Sequence, residues 1–403
     1  MRSDSRRTLM NPLLALLFLL LVSACSTKPT RPIEGGDKLR ARIEVAIARQ
    51  IHSDVKRELP LLKGSSRAKY LEQKTDQLRR SVDYKFLSSS AVLEFRLLEY
   101  LSAMESLRWQ PMNYETRVRM ESSTNLSLED LEYALLANLA EIDNRLSALP
   151  DHKEADKLQH LHKKKETNDY PDDSFAGRQA YLDSLQQAMQ LTFEHWPTIE
   201  HEARKTIELI GRDGEIPPFQ YNDGALVINL KDVTGLPFFE LESIAAYYGY
   251  PGRAATDKPG SKSLKTLMVL PGYQFGWAWY NMDRLIEANV DRAGTYLHFI
   301  NLMSSLALAD LKLHTHAWTR QTATTFLSKR TLYSQARISM ELDAILNRPG
   351  FQLSAFAGMT KFKDLQKRCI RECEEGFLTR LVEIGPMPFV LLEERLFTEQ
   401  FIQ

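Results

Sequence analysis

Apolar residues recur every three or four positions over most of the chain, which is the spacing of one helix face. The first stripe contains Leu39, Ile43, Ile47 and Ile51. Similar patterns cover about 68–86, 91–109, 128–149, 175–210, 273–288, 294–313, 319–346 and 360–376, with a break near Arg330. Ser127 and Asp130 have the spacing of a capping box before one of these patterns. The chain is therefore predicted to be mainly α, with many helices.

One short run has the composition of a β-strand. Within Asp223 to Asp232, the sequence Leu226-Val227-Ile228, followed by Leu230, is aliphatic and β-branched. Glycine and proline pairs at 211–218 precede it and form the clearest internal boundary. We expect a small β-hairpin or sheet fragment packed on helices, within a C-terminal helical region, 211–403, that follows an N-terminal helical region, 39–210.

The first 24 residues have the order of a secretory signal. Arg2, Arg6 and Arg7 precede the apolar run Pro12–Val22, and small residues lead to Cys25. Because the run is far shorter than the roughly 20 residues that span a bilayer, cleavage is favoured over an uncleaved anchor. Cys25 is predicted to be lipidated, with 25–38 as a flexible tether. Ser26, by the usual sorting rule, favours the outer membrane, periplasmic side.

The charge of the chain limits the classes of partner that we expect, and the cysteine spacing limits the states of the thiols. The chain has 52 basic and 52 acidic residues, so no net basic field is available and no nucleic-acid partner is expected. Cys369 and Cys373 lie four residues apart on one helix face. Free or weakly bridged thiols, a disulfide and a metal pair all fit this spacing, and the redox state stays open.

Five segments carry a resemblance to a known family. Ser243 to Arg253 reads SIAAYYGYPGR, and GWAWY follows at Gly276 to Tyr280. Asp310 to Leu327 and Arg348 to Gly358 add DLKLHTHAWTRQTATTFL and RPGFQLSAFAG, and PFVLLEERL closes the set at Pro388 to Leu396. Together they resemble, over roughly the C-terminal half, the bacterial family called domain of unknown function 885, often lipoproteins similar to zinc-dependent peptidases.

The resemblance implies a metallopeptidase-like helical body whose zinc ligands have been replaced. The family's His-Glu-x-x-Pro-Gly-His matches 247–253, so Tyr247 and Arg253 stand at its histidine positions and Tyr248 stands at its glutamate position. Phe275 stands where a third, acidic ligand is expected. Zinc hydrolysis needs about three His or carboxylate ligands around a bound water, and these residues supply none. Arg253 is a permanent cation that would oppose a metal ion.

These matches favour a binding or scaffold lipoprotein that has lost zinc and catalysis but keeps the cleft, so no cofactor, metal or catalytic residue is expected. The membrane, through the lipid on Cys25, and a peptide or protein are the expected partners, and Arg253 could pair with a peptide carboxylate. The residues expected to line the cleft are Tyr247, Tyr248, Arg253, Trp277 and His314.

Two alternatives stay open at this point. The chain could be a hydrolase, either metal-free or with a relocated metal held by His314, His316 and a carboxylate such as Glu242 or Glu287. It could also be a structural partner whose cleft has filled with aromatic side chains. Trp277 fits the core as well as a cleft, and His314 fits a locally bonded helix end. No nucleophile elbow, phosphate loop or Rossmann glycine pattern is present.

Overall fold

A computed structural model shows a helical body with one small sheet, as the sequence predicts. It describes residues 35–149, 170–195, 206–214, 216–222, 224–257, 263–288, 293–372 and 376–398. Cys25 and the signal segment lie outside the described residues. The described helices are α1 (Gly35–Glu58), α2 (Ser65–Ser81), α3 (Ser89–Arg108), α4 (Tyr114–Ser122), α5 (Leu128–Ser147), α6 (Phe175–His195), α7 (Leu241–Tyr248), α8 (Pro271–Ala288), α9 (Ala293–His314), α10 (Arg320–Arg330), α11 (Gln335–Asn347), α12 (Phe351–Glu372), α13 (Phe377–Ile384) and α14 (Phe389–Thr398).

Polar caps set several of these helix starts. The capping box at Ser127 and Asp130 is formed, and α5 begins at the next residue after Ser127. The expected break near Arg330 is also present, because α10 ends there and Ser334 caps the start of α11. The stripe of α1 is only partly covered, since Ile51 is buried while Leu39 and Ile43 are exposed.

The sheet has three strands in the order β1 (Glu208–Arg212), β3 (Ala225–Asn229), β2 (Phe219–Asn222). β2 and β3 form the expected hairpin, with Gly224 at a φ of 89°, a conformation that glycine adopts without strain. β1 pairs with β3 in parallel, with Leu209 opposite Leu226. The predicted helix up to residue 210 is therefore wrong at its end, because pairing with a distant strand overrides the local pattern.

Two glycines of the family-like segments let α8 and α12 approach closely. A Cβ on Gly276 would lie 2.6 Å from the carbonyl carbon of Gly358. A Cβ on Gly358 would in turn clash with the carbonyl oxygen of Gly272. Any side chain at either position would push the two backbones apart. The close helix pair places Phe275, near the start of α8, beside Phe351 at the start of α12.

One hydrophobic core joins the regions on both sides of residue 211. Helix α5 packs along α9, α4 packs against α12, and α6 packs against α7. The predicted boundary between the N-terminal and C-terminal regions, at residues 210/211, lies inside strand β1. The division of the chain into these two regions stays a prediction. Cys369 is buried and disulfide-bonded, whereas Cys373 lies outside the described residues. Of the states left open by the sequence, the structure has the disulfide at Cys369.

Candidate functional site

The four positions matched to the family's metal motif lie close together, with three of them around the ring of the fourth, Phe275. Tyr247 and Tyr248 end α7, Arg253 opens a short 3-10 turn, and Phe275 lies in α8. The centroid of the Phe275 ring lies 6.1 Å from that of Tyr247 and 6.3 Å from that of Tyr248. The guanidinium carbon of Arg253 lies 5.9 Å from the same ring. Positions that the resemblance alone had connected are therefore neighbours in space.

Arg253 is held in place by a small polar group. Its Nη1 donates to Asp257 Oδ1 at 2.5 Å and to Thr256 Oγ1 at 2.9 Å. Its guanidinium also lies 4.7 Å from the ring centre of Tyr221, whose hydroxyl donates to Asp257 Oδ2 at 2.6 Å. Burial and this bond to the carboxylate raise the pKa of Tyr221 above its ordinary value. The buried Nε of Arg253 has no acceptor within the described part of the chain.

A cleft of about 880 Å³ opens beside this group. Strand β2 forms one wall and the facing ends of α11 and α12 form the other, and β2 has no strand beyond it among the described strands. The lining residues on which the site depends are Tyr221, Tyr248, Arg253, Phe275, Arg348 and Gln352. The cleft therefore combines aromatic surface, two guanidinium groups and an edge strand. Sequence reasoning missed Tyr221, Arg348 and Gln352, which only tertiary packing brings here.

A buried ion group lies behind the wall of the cleft. Arg337 donates to Glu240 at 2.5 Å and to Glu341 at 2.9 Å, and Glu341 lines the cleft. Burial is the main reason why the pKa of Glu240 is raised to about 7, and Glu341 adds to it while Arg337 opposes it. The i,i+4 spacing of Arg337 and Glu341 could have predicted their pair, but nothing local points to Glu240.

Tyr247 and Trp277 lie behind the cleft surface. Tyr247 is 1% exposed and contacts Phe299 with its ring. Trp277 is buried, and its Nε1 donates to the carbonyl oxygen of Pro251 at 2.9 Å, which holds the chain just before Arg253. Of the five residues expected to line the cleft, Tyr248 and Arg253 lie on its surface. Tyr247 and Trp277 support those two from the core.

His314 lies away from the cleft, in a network around Asp310. Its Nδ1 lies 3.0 Å from Asp310 Oδ1, and its ring stacks on Tyr114 at 5.2 Å. Asp310 is fully buried and also accepts bonds from the Tyr114 hydroxyl and from three backbone N–H groups at the start of α12. This carboxylate caps α12, which explains why the helix begins at Phe351 and not near residue 360.

The residues at the matched ligand positions do not fit a zinc ion. A phenol must lose its proton to become a strong ligand, and burial raises the pKa of Tyr247 and Tyr248 further above their ordinary value. Phe275 has no donor atom, and Arg253 carries a fixed positive charge. Within the described ranges, no three His, Cys, Asp or Glu side chains are placed to hold a metal ion. His314, His316, Glu242 and Glu287 are thus not assembled as a relocated set.

A bacterial family model matches most of the chain. The family model "Bacterial protein of unknown function (DUF885)" matches residues 26–396, which extends the resemblance over the N-terminal half. No curated protein matches the chain at a significant level. Over the described residues, none of the helices has both the length and the apolar character needed to cross a membrane.

Two solved structures share the fold. A candidate lipoprotein from Colwellia psychrerythraea aligns with a TM-score of 0.61 at 17% identity, over 96% of this chain and 79% of the other. A candidate lipoprotein of unknown function from Shewanella oneidensis aligns with a TM-score of 0.50 at 13% identity, over 88% and 72%. At these identities the likeness supports the architecture alone.

Proposed function

Since the chain belongs to the bacterial DUF885 family of proteins of unknown function, we propose that it is a binding lipoprotein of the cell envelope that has lost zinc and hydrolysis. A lipid on Cys25 anchors it to the periplasmic face of the outer membrane, and its cleft holds a peptide or a segment of a partner protein. The signal-like segment before Cys25 and the two lipoprotein-like structures of the same fold support the anchoring.

The convergence of Tyr247, Tyr248, Arg253 and Phe275 carries the proposal. Four positions where the family is expected to hold a metal meet around one ring, and all four side chains lack metal-ligand chemistry. The cleft itself has remained open at about 880 Å³, which favours binding over a structural partner with a filled interior.

The walls of the cleft favour a peptide. An edge strand can accept an extended chain through its free backbone groups, and β2 lines the cleft along its whole length. Arg253 supplies a planar cation whose second edge is free to hold a carboxylate. A peptide that pairs with β2 would bring its carboxyl end beside Phe275 and Arg253.

The first test is zinc content. The full chain, purified in detergent without chelator and then exposed to excess Zn²⁺, should hold far less than one zinc per chain and show no rise in melting temperature. Restoring the family ligands with Tyr247→His, Tyr248→Glu, Arg253→His and Phe275→Glu should introduce zinc binding if the backbone still has the geometry of the family. About one tightly held zinc in the unmodified chain would refute the loss of metal.

The second test is peptide binding. Short acetylated peptides with a free carboxyl end should bind, and conversion of that end to an amide should weaken binding about tenfold or more because Arg253 loses its partner. Arg253→Met should bind both forms with the weaker affinity. The matched control Arg80→Met, at an exposed helix position, should behave like the unmodified chain. Equal binding of acid and amide would contradict the role of Arg253.

A further inference from the structure

A second guanidinium on the cleft wall has an uncommitted charge. Arg348 follows α11, is exposed, and lines the cleft. Its guanidinium carbon lies 3.8 Å from the ring centre of Phe351, and its side chain makes no hydrogen bond or ion pair with the described residues. Glu121 is a nearby acid that favours its charge, without a salt bridge between them. Although the side chain is exposed, neighbouring protein atoms exclude part of its water and lower the pKa of Arg348, but the ordinary value is so high that the guanidinium stays charged.

The two cleft arginines lie at opposite ends of an aromatic pair. Phe275 and Phe351 meet edge to face, with their ring centres 4.9 Å apart. Arg253 lies 5.9 Å from the first ring and Arg348 lies 3.8 Å from the second. The three legs limit the distance between the two guanidinium carbons to roughly 15 Å. A ligand that pairs one anionic group with each guanidinium must therefore carry the two groups within that span.

Two deeply buried side chains of the cleft each have one polar atom without a hydrogen-bond partner. Arg253 and Gln352 are each 8% exposed, and neither Arg253 Nε nor Gln352 Oε1 has a hydrogen-bond partner within the described residues. Buried polar atoms without partners are costly, so a ligand that supplies them gains free energy. The N-terminus of α12, by contrast, is already capped by Asp310 and is not a free anion site. The groups left for a ligand are thus the guanidinium of Arg348, the Nε edge of Arg253 and the side-chain oxygen of Gln352.

We infer that the cleft selects an acidic peptide end, with the terminal carboxylate at Arg253 and an acidic side chain at Arg348. This inference rests on the proposed peptide-binding function and adds its sequence preference. An extended chain rises about 3.4 Å per residue, so roughly 15 Å places the acidic residue within about four positions of the carboxyl end. Gln352 Oε1 accepts a backbone N–H of the bound peptide, and the Phe275–Phe351 pair contacts the side chains between the two charges.

The test scans one glutamate through a peptide. Acetylated six-residue alanine peptides with a free carboxyl end carry glutamate at each position in turn, and their affinities for the full chain in detergent are measured by calorimetry. At one or two of the last four positions glutamate should tighten binding about fivefold, the range of a partly exposed ion pair. Glutamate at the first position should have little effect.

Variants of the chain assign that gain to Arg348. In Arg348→Met the ratio of the affinities for the glutamate peptide and the all-alanine peptide should fall to about one, and Arg348→Lys should keep part of the gain. Arg80→Met, the matched control, should keep all of it. Because Arg348 is exposed, loss of folding is not expected, and a thermal melt of each variant checks this.

The outcomes separate this inference from the proposed function. If the free carboxyl end matters but glutamate changes nothing at any position, the acidic preference is wrong and peptide binding stands. An equal loss for neutral and acidic peptides in Arg348→Met also overturns the preference, because the residue would then shape the cleft in general. If no peptide binds, both proposals fail.

Discussion

Two fully buried carboxylates of this protein, Asp310 and Glu240, differ in how completely they are hydrogen-bonded. Asp310 accepts hydrogen bonds from Tyr114, from His314 and from three backbone N–H groups of the α12 start. Glu240 accepts a hydrogen bond from Arg337, which also donates to Glu341, and its Oε2 has no partner within the described residues. Asp310 closes a helix end deep in the family-like scaffold, whereas the group around Glu240 lies behind the cleft. The cap network is saturated, and the cleft-side network shares one cation between two acids.

The contrast indicates where the chain can change. A saturated network gives no free atom to a ligand and penalises nearly every substitution, so Asp310 and His314 are best explained as parts of the fold. Within the described residues, the cleft side holds unpartnered atoms, an arginine without an ion pair, and aromatic side chains at positions matched to the family's metal motif. Such a surface can acquire a new ligand without dismantling the scaffold.

The largest effect is expected from loss of the Asp310 cap. Asp310→Ala leaves three backbone N–H groups, a phenol and an imidazole without their shared acceptor, so the free energy of unfolding should fall by about 4 kcal/mol. Urea denaturation measures this. Asp364→Ala, at an exposed helical position, is the matched control and should change stability by no more than about 0.5 kcal/mol. A small loss for Asp310→Ala would mean that the cap is not important for stability.

The next largest loss in the free energy of unfolding, about 3 kcal/mol near neutral pH, is expected from the removal of Arg337. Arg337→Met leaves Glu240 and Glu341 side by side without their cation. The loss should shrink at pH 5, because Glu240 can then take up a proton and become neutral. Urea denaturation at both pH values checks this, and a loss that is equal at both would contradict the shared-cation description.

The sequence anticipated the cleft side better than the cap. The resemblance identified Tyr248, Arg253 and Phe275, because a motif preserves the order of neighbouring positions. It could not show that Trp277 points to Pro251, since that bond depends on how the loop folds back. Arg337 and Glu341 are one helical turn apart, but Glu240 joins them from 97 residues away. Contacts of that range are set by packing and leave no local pattern.

The helix and strand errors have the same cause. The start of α12 was missed because its cap comes from Asp310, 40 residues before Gly350, and not from an adjacent residue. Strand β1 was missed because its only strong partner is β3, and its own sequence, ELIGR, has too few β-branched residues to signal a strand. Helices with local stripes and local caps, such as α5, were predicted closely.

The change in stability with pH that Glu240 causes should be smaller than these losses, on the order of 2 kcal/mol. Its pKa is raised to about 7 in the folded state, so the folded chain binds the proton more tightly than the unfolded chain. This contribution to stability is fully present below the ordinary pKa of a glutamate and is lost as the pH rises through about 7. Glu240→Gln, which cannot titrate, should remove that part of the slope between pH 5 and 8. An unchanged slope would assign the dependence to other groups.

The smallest loss of stability, about 1 kcal/mol, is expected from substitution of His314, which belongs to the Asp310 network. Burial opposes the charge of His314, but its bonds to Asp310 outweigh this and raise its pKa. Its contribution is therefore complete below the ordinary histidine pKa and is lost as the pH rises through the raised value. The destabilisation by His314→Gln should thus be larger at pH 6 than at pH 9. His298 is a contrasting control: burial lowers its pKa to about 4, so at pH 6 the unfolded chain binds a proton there that the folded chain does not, and His298→Gln should cost less at pH 6 than at pH 9. A pH-independent loss at His314 would show that Asp310 is saturated without a charged histidine, and the cap would then depend on the backbone of α12 and Tyr114.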